Sequence, residues 1–331
     1  MRSDPGQMDL RRRWTLFADT AAAAFRREGW DADQVIIDRW AIGPASVGAA
    51  DADIVFVPHS TRRQLGETQR PVMFYMQVMQ RWLFTADPEG WGPATSRYPY
   101  SDYVSGNPDS GVWDSYRQRL VVCNESKFDQ PAAATRENMI ATGLIPAQPF
   151  IFFPCQIPHD ESLTLFSDIS ESDLVRALGA WSRASGTPVV FKEHPANRRA
   201  MALLRTAAGP DVFWSEASIH DLVREAAAVY TLNSGVGFEA LFHTTPIATF
   251  ARAEYDVVTE IADIARLDAI WASCRNWDRD KGMRARRQFV DWYCRRHAID
   301  LDAEPTVLHQ RLSLLVKEAE SLCRARPHRS A

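Results

Sequence analysis

The sequence predicts an α/β protein with two domains, the second of them built on a parallel sheet. The length of 331 residues is sufficient for two domains, each with its own core. Short apolar runs of strand length alternate with helical patterns along most of the chain. Some of these runs, such as 53–58 and 150–154, are apolar almost throughout. That composition is typical of strands buried on both faces of a parallel sheet.

The N-terminal part is predicted to be a first domain over residues 1–146. Apolar residues at three- and four-residue spacing predict a helix over 8–28. The remaining elements predicted here are strands at 34–38, 53–58, 70–78 and 120–123 and a helical segment at 131–142. The segment Gly143–Pro149 contains Gly and Pro and predicts a linker, so the boundary is placed near 146.

A long segment at 85–115 interrupts this first domain. It is rich in Pro, Gly and aromatic residues, a composition that does not predict regular structure. Loops of this length in compact domains are usually functional or mobile. Acceptor binding and an irregular packed surface are both open interpretations. The candidate acceptor contacts are His59, Trp91, Tyr98 and Tyr100.

A second α/β domain is predicted over 147–284, followed by a C-terminal helical region with a basic tail at 285–331. The strands of this second domain are predicted at 150–154, 189–191, 212–214, 229–232 and 246–250. Its helices are predicted at 173–183, 197–207 and 219–228. The terminal helices are predicted at 285–297 and 305–325.

Two groups of polar residues follow strands of this second domain, where an open α/β sheet places its ligand crevice. Lys192 and His194, directly before Pro195, are suitable donors for a phosphate. A His-Pro pair after a strand is also common in turns, so an anion site and a simple turn are both open. A carboxylate beside a His, as in Asp160 and His159, is a candidate nucleophile or general base. An N-capping Asp in a loop is the alternative.

The turn Asn233-Ser234-Gly235 leads from a strand into a helical pattern that contains Gly237 and Glu239. Small residues at the start of a helix let backbone N–H groups approach an anion. Ser234 is suited to be an N-cap or a phosphate donor, and Glu239 to accept hydrogen bonds from ribose hydroxyls. Plain helix capping with Glu239 in solvent is the alternative.

Several functional classes are disfavoured by the composition. The net charge of −4 and pI near 6.1 argue against a nucleic-acid partner. No Asp-x-Asp pair follows a strand, and no Walker A, Gly-x-Gly-x-x-Gly or metal-spaced His/Cys cluster occurs, so no metal or cofactor is expected. Five cysteines without a Cys-x-x-Cys pair, and the lack of a membrane-spanning apolar stretch, predict a cytoplasmic protein.

Taken together, the blocks after the strands resemble the bacterial capsule polysaccharide synthesis family, specifically its retaining β-Kdo transferases that use CMP-Kdo. Three motifs and a Pro-led strand carry the resemblance: Gln156…Asp160, His194-Pro195, Asn233-Ser234-Gly235-Val236-Gly237-Phe238-Glu239-Ala240-Leu241 and Pro246. It covers about residues 150–260. One departure is Cys155 before Gln156, where the family usually has Gly; this residue constrains the turn.

The resemblance implies a GT-B-like fold: two Rossmann-like domains with parallel sheets facing a cleft, and C-terminal helices that cross back. The C-terminal domain would bind a CMP-sugar donor and the N-terminal domain a saccharide or glycolipid acceptor. Asp160 would be the nucleophile of a retaining double displacement, oriented by Gln156. The single phosphate of CMP would be held without a metal by Lys192, His194 and Ser234, and the ribose by Glu239.

Two other interpretations are open. One is a GT-B transferase with another donor, such as CMP-sialic acid, a UDP-sugar or a polyol phosphate. The other is a non-catalytic nucleotide-sugar-binding subunit of polysaccharide assembly. A peripheral contact with the inner membrane or an assembly complex is also open, because Arg11-Arg12-Arg13 forms either a lipid contact or an ordinary solvated helix face.

Overall fold

The structure, a computed structural model, describes residues 5–38, 41–59, 65–66, 68, 70–158, 160–196 and 201–325, with side chains from residue 12 onward. The chain forms two compact units. The first consists of Met1–Tyr98 and Trp292–Ala331, and the second of Pro99–Asp291. Each unit contains one β-sheet and several helices, so the predicted α/β class is confirmed.

The secondary structure of the described residues comprises ten strands and twelve α-helices. The strands are β1 Val55–Pro58, β2 Val72–Gln77, β3 Leu83–Asp87, β4 Ile151–Pro154, β5 Val189–Lys192, β6 Phe213–Trp214, β7 Ala228–Thr231, β8 Ile247–Thr249, β9 Glu260–Ile261 and β10 Ile299–Asp300. The helices are α1 Pro5–Arg27, α2 Pro44–Ala49, α3 Val112–Arg117, α4 Arg136–Ala141, α5 Glu161–Phe166, α6 Glu171–Ser185, α7 Met201–Ala208, α8 Ile219–Glu225, α9 Gly235–Ala240, α10 Leu267–Arg275, α11 Arg279–Trp292 and α12 Pro305–Ala325.

The division of the chain into units differs from the predicted one. Residues 99–146, predicted to complete the N-terminal domain, belong to the second unit. The Gly- and Pro-containing segment around 146 is exposed only in part: Gly143 and residues 147–149 are exposed, whereas Ile145 and Pro146 are buried. Gly and Pro indicate that the chain turns, but they do not show whether it leaves the core. Helix α12 belongs to the same unit as the N-terminal residues, in agreement with the prediction that the C-terminal helices cross back.

The sheet of the first unit is mixed rather than parallel. Its strand order is β1-β2-β3-β10, and only β1 and β2 run parallel. Strand β3 is antiparallel to both of its neighbours. The connection from β2 to β3 is too short for a crossover helix, so β3 can only turn back beside β2. Helices α1 and α12 contribute Phe17, Phe25, Leu312 and Leu315 to the core that includes Phe84 of β3.

Two of the predicted strands are wrong. Residues 34–38 form no regular structure, and the side chains of Val35 and Ile36 are 82% and 102% exposed. Residues Gln118–Val122 form a π-helical turn that continues α3. A short apolar run fits a strand or a buried helix equally well by composition, so neighbouring contacts decide between them.

The sheet of the second unit is parallel throughout, as predicted. Its strand order is β6-β5-β4-β7-β8-β9. The chain proceeds outward from β4 to β6, then returns to the other side of β4 and proceeds outward again from β7. The strand order therefore reverses between β4 and β7. In open α/β sheets, ligands bind outside the carboxyl ends of the strands at this topological switch point.

Candidate functional site

The carboxyl ends of β4 and β7 are joined by a reciprocal pair of hydrogen bonds. Gln156 Nε2 donates to Asn233 Oδ1 at 3.1 Å, and the Asn233 backbone N–H donates to Gln156 Oε1 at 3.3 Å. Asn233 Nδ2 also donates to the carbonyls of Ser162 and Arg252. The structure thus brings together two sequence motifs that lie 77 positions apart in the chain. Both lie at the switch point.

Asp160 is the N-cap of helix α5. Its Oδ1 accepts a hydrogen bond from the Ser162 backbone N–H at 2.9 Å, and the residue is exposed. The carboxylate of Asp160 therefore does cap a helix, as the alternative interpretation of the sequence predicted. The second carboxylate oxygen has no part in the cap, and an exposed oxygen can meet a ligand. His159, the other predicted catalytic residue of this loop, lies outside the described residues.

A buried carboxyl group, Glu171, supports the start of this loop. Its Oε1 accepts a hydrogen bond from the Gln156 backbone N–H, and the residue is 3% exposed. Among the described residues, no hydrogen-bond partner reaches its Oε2. Burial raises the pKa of the Glu171 carboxyl to about 7, although the Gln156 hydrogen bond acts in the opposite direction. Sequence reasoning did not identify this residue, since nothing in the pattern of α6 distinguishes it.

The substitution Glu171→Gln, which replaces the buried carboxyl by a neutral amide of the same shape, is expected to change how the stability of the protein depends on pH. Because the folded state binds the Glu171 proton more tightly than the unfolded state, the contribution of Glu171 to stability falls as pH rises from about 4.5 to 7. Glu171→Gln should not show this loss, which is on the order of 3 kcal/mol. Urea unfolding of both proteins at pH 5 and pH 8 measures the difference.

The exposed Glu216 provides a matched control, since Glu216→Gln makes the same chemical change outside the core. Parallel pH profiles for the wild type and Glu171→Gln would contradict the expected titration of the buried carboxyl.

The turn after β7 is built largely by local packing. The Ser234 hydroxyl accepts a hydrogen bond from the Val236 N–H at 3.2 Å and caps α9. A Cβ atom on Gly237 would lie 2.2 Å from the hydroxyl oxygen of Tyr255, whose ring is completely buried. That hydroxyl donates to the Ser234 carbonyl. Gly237 is thus required by the packing of Tyr255, a reason different from the predicted approach of an anion.

His194 lies where a donor to an anion is expected. Its Nδ1 accepts the backbone N–H of Ala196 at 3.1 Å, so in the neutral ring the proton is on Nε2. Burial lowers the pKa of His194, Asp160 acts in the opposite direction, and Lys127 lowers it further. The ring packs edge-on against Phe128 at 5.1 Å between centroids. At neutral pH the residue therefore offers a hydrogen bond rather than a positive charge.

Lys192 differs from its predicted position at a phosphate site. Its Nζ donates to the carbonyls of Ala217 at 2.8 Å and Glu216 at 3.3 Å, after β6. Burial lowers its pKa. The ammonium group thus holds the loop beside the far edge of the sheet, and the structure does not bring it to the turn at Ser234. Pro195 is exposed at the following turn.

Glu239 is buried rather than solvated, which excludes the solvent alternative raised from the sequence. It is 2% exposed, and its Oε1 accepts a hydrogen bond from the Ser126 hydroxyl at 2.8 Å. Its Oε2 lies 3.5 Å from His220 Nε2. The contact to Ser126 shows that residues before the predicted domain boundary form part of this site.

Residues 124–130, called here the site segment, are held against α8 and α9 by side-chain hydrogen bonds. His220 Nε2 lies 2.7 Å from the Glu125 carbonyl, which only accepts, so this nitrogen carries a proton. The Gln130 side chain accepts from the Ile219 N–H at 3.0 Å, and Ser218 donates to Asn124. The segment forms no helix or strand, and these contacts fix its course instead.

The site segment brings a lysine into the site. Lys127 is half-buried, next to Ser126, which binds Glu239, and Phe128, which packs on His194. Burial lowers the pKa of Lys127, whereas the carboxylates of Asp160, Glu239 and Glu254 act in the opposite direction. Sequence reasoning missed this residue because the segment was assigned to the other domain and has no motif.

The predicted acceptor contacts are largely packed side chains. Tyr100 is completely buried and Trp91 is 9% exposed, so neither ring presents a face to solvent. The His59 ring packs edge-on against Trp91 at 5.2 Å and lies 6.2 Å from Trp14. Tyr98 is half-buried. For Trp91 and Tyr100, the packed-surface interpretation of the irregular segment therefore holds.

The fold and the site together define an α/β protein with a candidate ligand site at the switch point of a parallel sheet. A family model described as capsule polysaccharide biosynthesis protein matches residues 119–288, just over half of the chain. The chain belongs to this family. The match extends beyond the region of sequence resemblance on both sides, and it includes the site segment.

A curated protein shares part of the sequence. Protein FixF of Sinorhizobium fredii is 30% identical over 174 residues, which cover 49% of this chain and 42% of that protein. The chain thus spans less than half the length of this relative.

Three solved structures are similar in their chain course. The Thermosulfurimonas dismutans KpsC β-Kdo 2,7 transferase has a TM-score of 0.49 and 15% identity, covering 79% of this chain and 84% of its own. For the KpsC β-Kdo 2,4 transferase of the same organism, the TM-score is 0.48, the identity 16%, and the coverage 72% and 78%. UDP-GlcNAc 2-epimerase from Methanocaldococcus jannaschii has a TM-score of 0.36 and 13% identity, covering 55% and 52%.

No helix in the described part of the chain combines the length and apolar character needed to cross a membrane.

Proposed function

We propose that this protein is a glycosyltransferase that moves Kdo, or a related 3-deoxy-ulosonic acid, from a CMP-activated donor to a saccharide acceptor in capsule or lipopolysaccharide synthesis. The observation that carries the proposal is the Gln156–Asn233 pair at the switch point. It holds the loop with Asp160 beside the turn with Ser234. Membership of the capsule polysaccharide biosynthesis family supports the same function.

The proposed reaction is a double displacement. A carboxylate oxygen of Asp160 attacks the anomeric carbon, and the bond from that carbon to the phosphate oxygen breaks, so CMP leaves with the electron pair. The acceptor hydroxyl oxygen then attacks the same carbon and displaces Asp160, while its proton passes to the departing carboxylate or to water. Two inversions give net retention.

The leaving group would be bound by neutral donors. His194 Nε2–H is one donor to the phosphate, since its Nδ1 already accepts from Ala196. The Ser234 hydroxyl is a second, because it accepts from Val236 and still has its own proton to donate. Glu239 would accept from the ribose hydroxyls. CMP carries a single phosphate, so hydrogen-bond donors of this kind can hold it without a metal.

The proposal is tested by incubation with CMP-Kdo in the absence of acceptor, followed by intact-protein mass spectrometry and peptide mapping. The expected result is a mass increase of one Kdo unit, located on Asp160. Donor preference is measured by saturation-transfer NMR. Binding of UDP-sugars without binding of CMP would overturn the donor assignment.

One observation favours a second candidate, a non-catalytic nucleotide-sugar-binding subunit of polysaccharide assembly. Asp160 already has a structural role as the cap of α5. In this case CMP would bind, and neither a covalent Kdo adduct nor transfer to any acceptor would be detected.

A further inference from the structure

The site segment places Lys127 between two motifs that follow different strands. On one side, Ser126 donates to Glu239 at 2.8 Å, and Glu239 lies on α9 after β7. On the other side, Phe128 packs against His194, which follows β5. Because both neighbours in the chain are fixed, the backbone of Lys127 is held across the mouth of the switch point.

The surroundings of this lysine are acidic. Burial lowers the pKa of Lys127, whereas the carboxylates of Asp160, Glu239 and Glu254 act in the opposite direction, and each favours the charged form. Glu239 and Glu254 are buried, with exposures of 2% and 3%. These carboxylates repel a negatively charged donor that enters the site, unless a cation lies between the donor and the carboxylates.

The two donors predicted from the sequence, Lys192 and His194, carry no charge directed at the segment between Asp160 and Glu239 in the contacts that the described residues make. The ammonium of Lys192 donates to the carbonyls of Glu216 and Ala217. Burial lowers the pKa of His194, so its ring is neutral at pH 7. Lys127 has three N–H donors, and an ammonium group that interacts with a carboxylate can still donate to a ligand.

The proposed reaction is favoured by a positive charge next to Asp160. An ulosonic acid carries its carboxylate on the anomeric carbon, the same carbon that Asp160 would attack. Two carboxylates must therefore approach each other in the displacement, and their repulsion is strong where water is excluded. A cation beside Asp160 offsets that repulsion, whereas the phosphate leaves on the side of the donors from His194 and Ser234.

We propose that the Lys127 ammonium binds the carboxylate of an ulosonic acid donor and thereby selects acidic sugars over neutral ones. This inference rests on the proposed function. It names the chemical class of donor, a nucleotide-activated sugar acid, and a specificity residue outside the motifs. A UDP-hexose offers no carboxylate at this position and gains nothing from the lysine.

The test compares dissociation constants for CMP and CMP-Kdo, measured by NMR titration without acceptor in proteins that also carry Asp160→Asn, so that no covalent adduct forms. Lys127→Met is expected to weaken CMP-Kdo binding about 10- to 100-fold and to change CMP binding less than about twofold, as for loss of one charge-assisted hydrogen bond. Lys127→Arg, which keeps the charge, should recover most of the loss. Lys281→Met is the matched control, because Lys281 is exposed on α11.

The possible results distinguish a failure of the proposed role of Lys127 from a failure of the proposed glycosyltransferase function. If the Asp160→Asn parent binds neither CMP nor CMP-Kdo, the proposed function fails. If this parent binds both, and Lys127→Met weakens both equally or neither, only the role of Lys127 is overturned. Lys127→Gln repeats the measurement if thermal unfolding shows that the Met variant is not folded.

Discussion

Asp160→Asn is expected to reduce Kdo transfer by about 10³-fold or more and to abolish the covalent adduct, with little change in stability. The physical reason is that an amide cannot act as the nucleophile, whereas Asn caps a helix as well as Asp does. The Ser162 N–H can donate to the amide oxygen in the same geometry as to Oδ1 in the wild type. Initial rates with CMP-Kdo, together with the unfolding temperature, measure the two effects separately.

The structural role of the cap is isolated by two further variants. Asp160→Ala removes both the cap and the carboxylate, so it should lose the same activity and about 1 kcal/mol of stability. Ser170→Ala removes the corresponding cap from α6, where Ser170 accepts from the Asp173 N–H. It should lose stability alone. Full activity in Asp160→Asn would show that this residue acts only as a cap.

Gly237→Ala is expected to destabilise the protein by about 3 kcal/mol, which corresponds to a fall in the unfolding temperature of the second unit of roughly 7 °C. The added methyl group would lie 2.2 Å from the Tyr255 hydroxyl oxygen and 2.4 Å from Cζ of the same ring. A completely buried ring cannot rotate away without displacing its neighbours. Thermal and urea unfolding measure the effect.

The control for this variant is Gly48→Ala on α2, since a Cβ there meets no atom within 4 Å. It should be neutral or slightly stabilising. In a double-mutant cycle, Tyr255→Ala should remove most of the cost of Gly237→Ala, because the two positions are in direct contact. If Gly237→Ala keeps wild-type stability and loses only nucleotide binding, the glycine serves the anion as the sequence first indicated.

The sequence identified the central strands of the second unit well because β4, β7 and β8 are buried at every position. A run such as Ile151–Pro154 has no polar residue, so it is suited to a strand that is buried on both faces of a sheet. Segments with mixed surroundings were harder to assign. Val35 and Ile36 favour a strand by their β-branched side chains, yet they are exposed and pair with no strand of the described residues.

The candidate site was predicted in part. The residues after β4 and β7 could be identified from motifs, but their contact depends on strand order, which no local pattern specifies. The partner of Glu239 could not be found in this way. Ser126 lies 113 positions away, in a segment without regular structure that is held by side-chain hydrogen bonds. Such a segment has no periodicity to detect, and its charged residue Lys127 has the appearance of an ordinary surface lysine.

The arrangement of the first unit also determines the order in which the protein can fold during synthesis. The second unit is one continuous segment, Pro99–Asp291, so it leaves the ribosome complete while the first unit still lacks its last strand and helix. Strand β10 and helix α12 pack with Phe17 and Phe84, and they are made after the second unit. The apolar side of the earlier segment therefore stays uncovered until residues 299–325 have been synthesised, well after the second unit is complete.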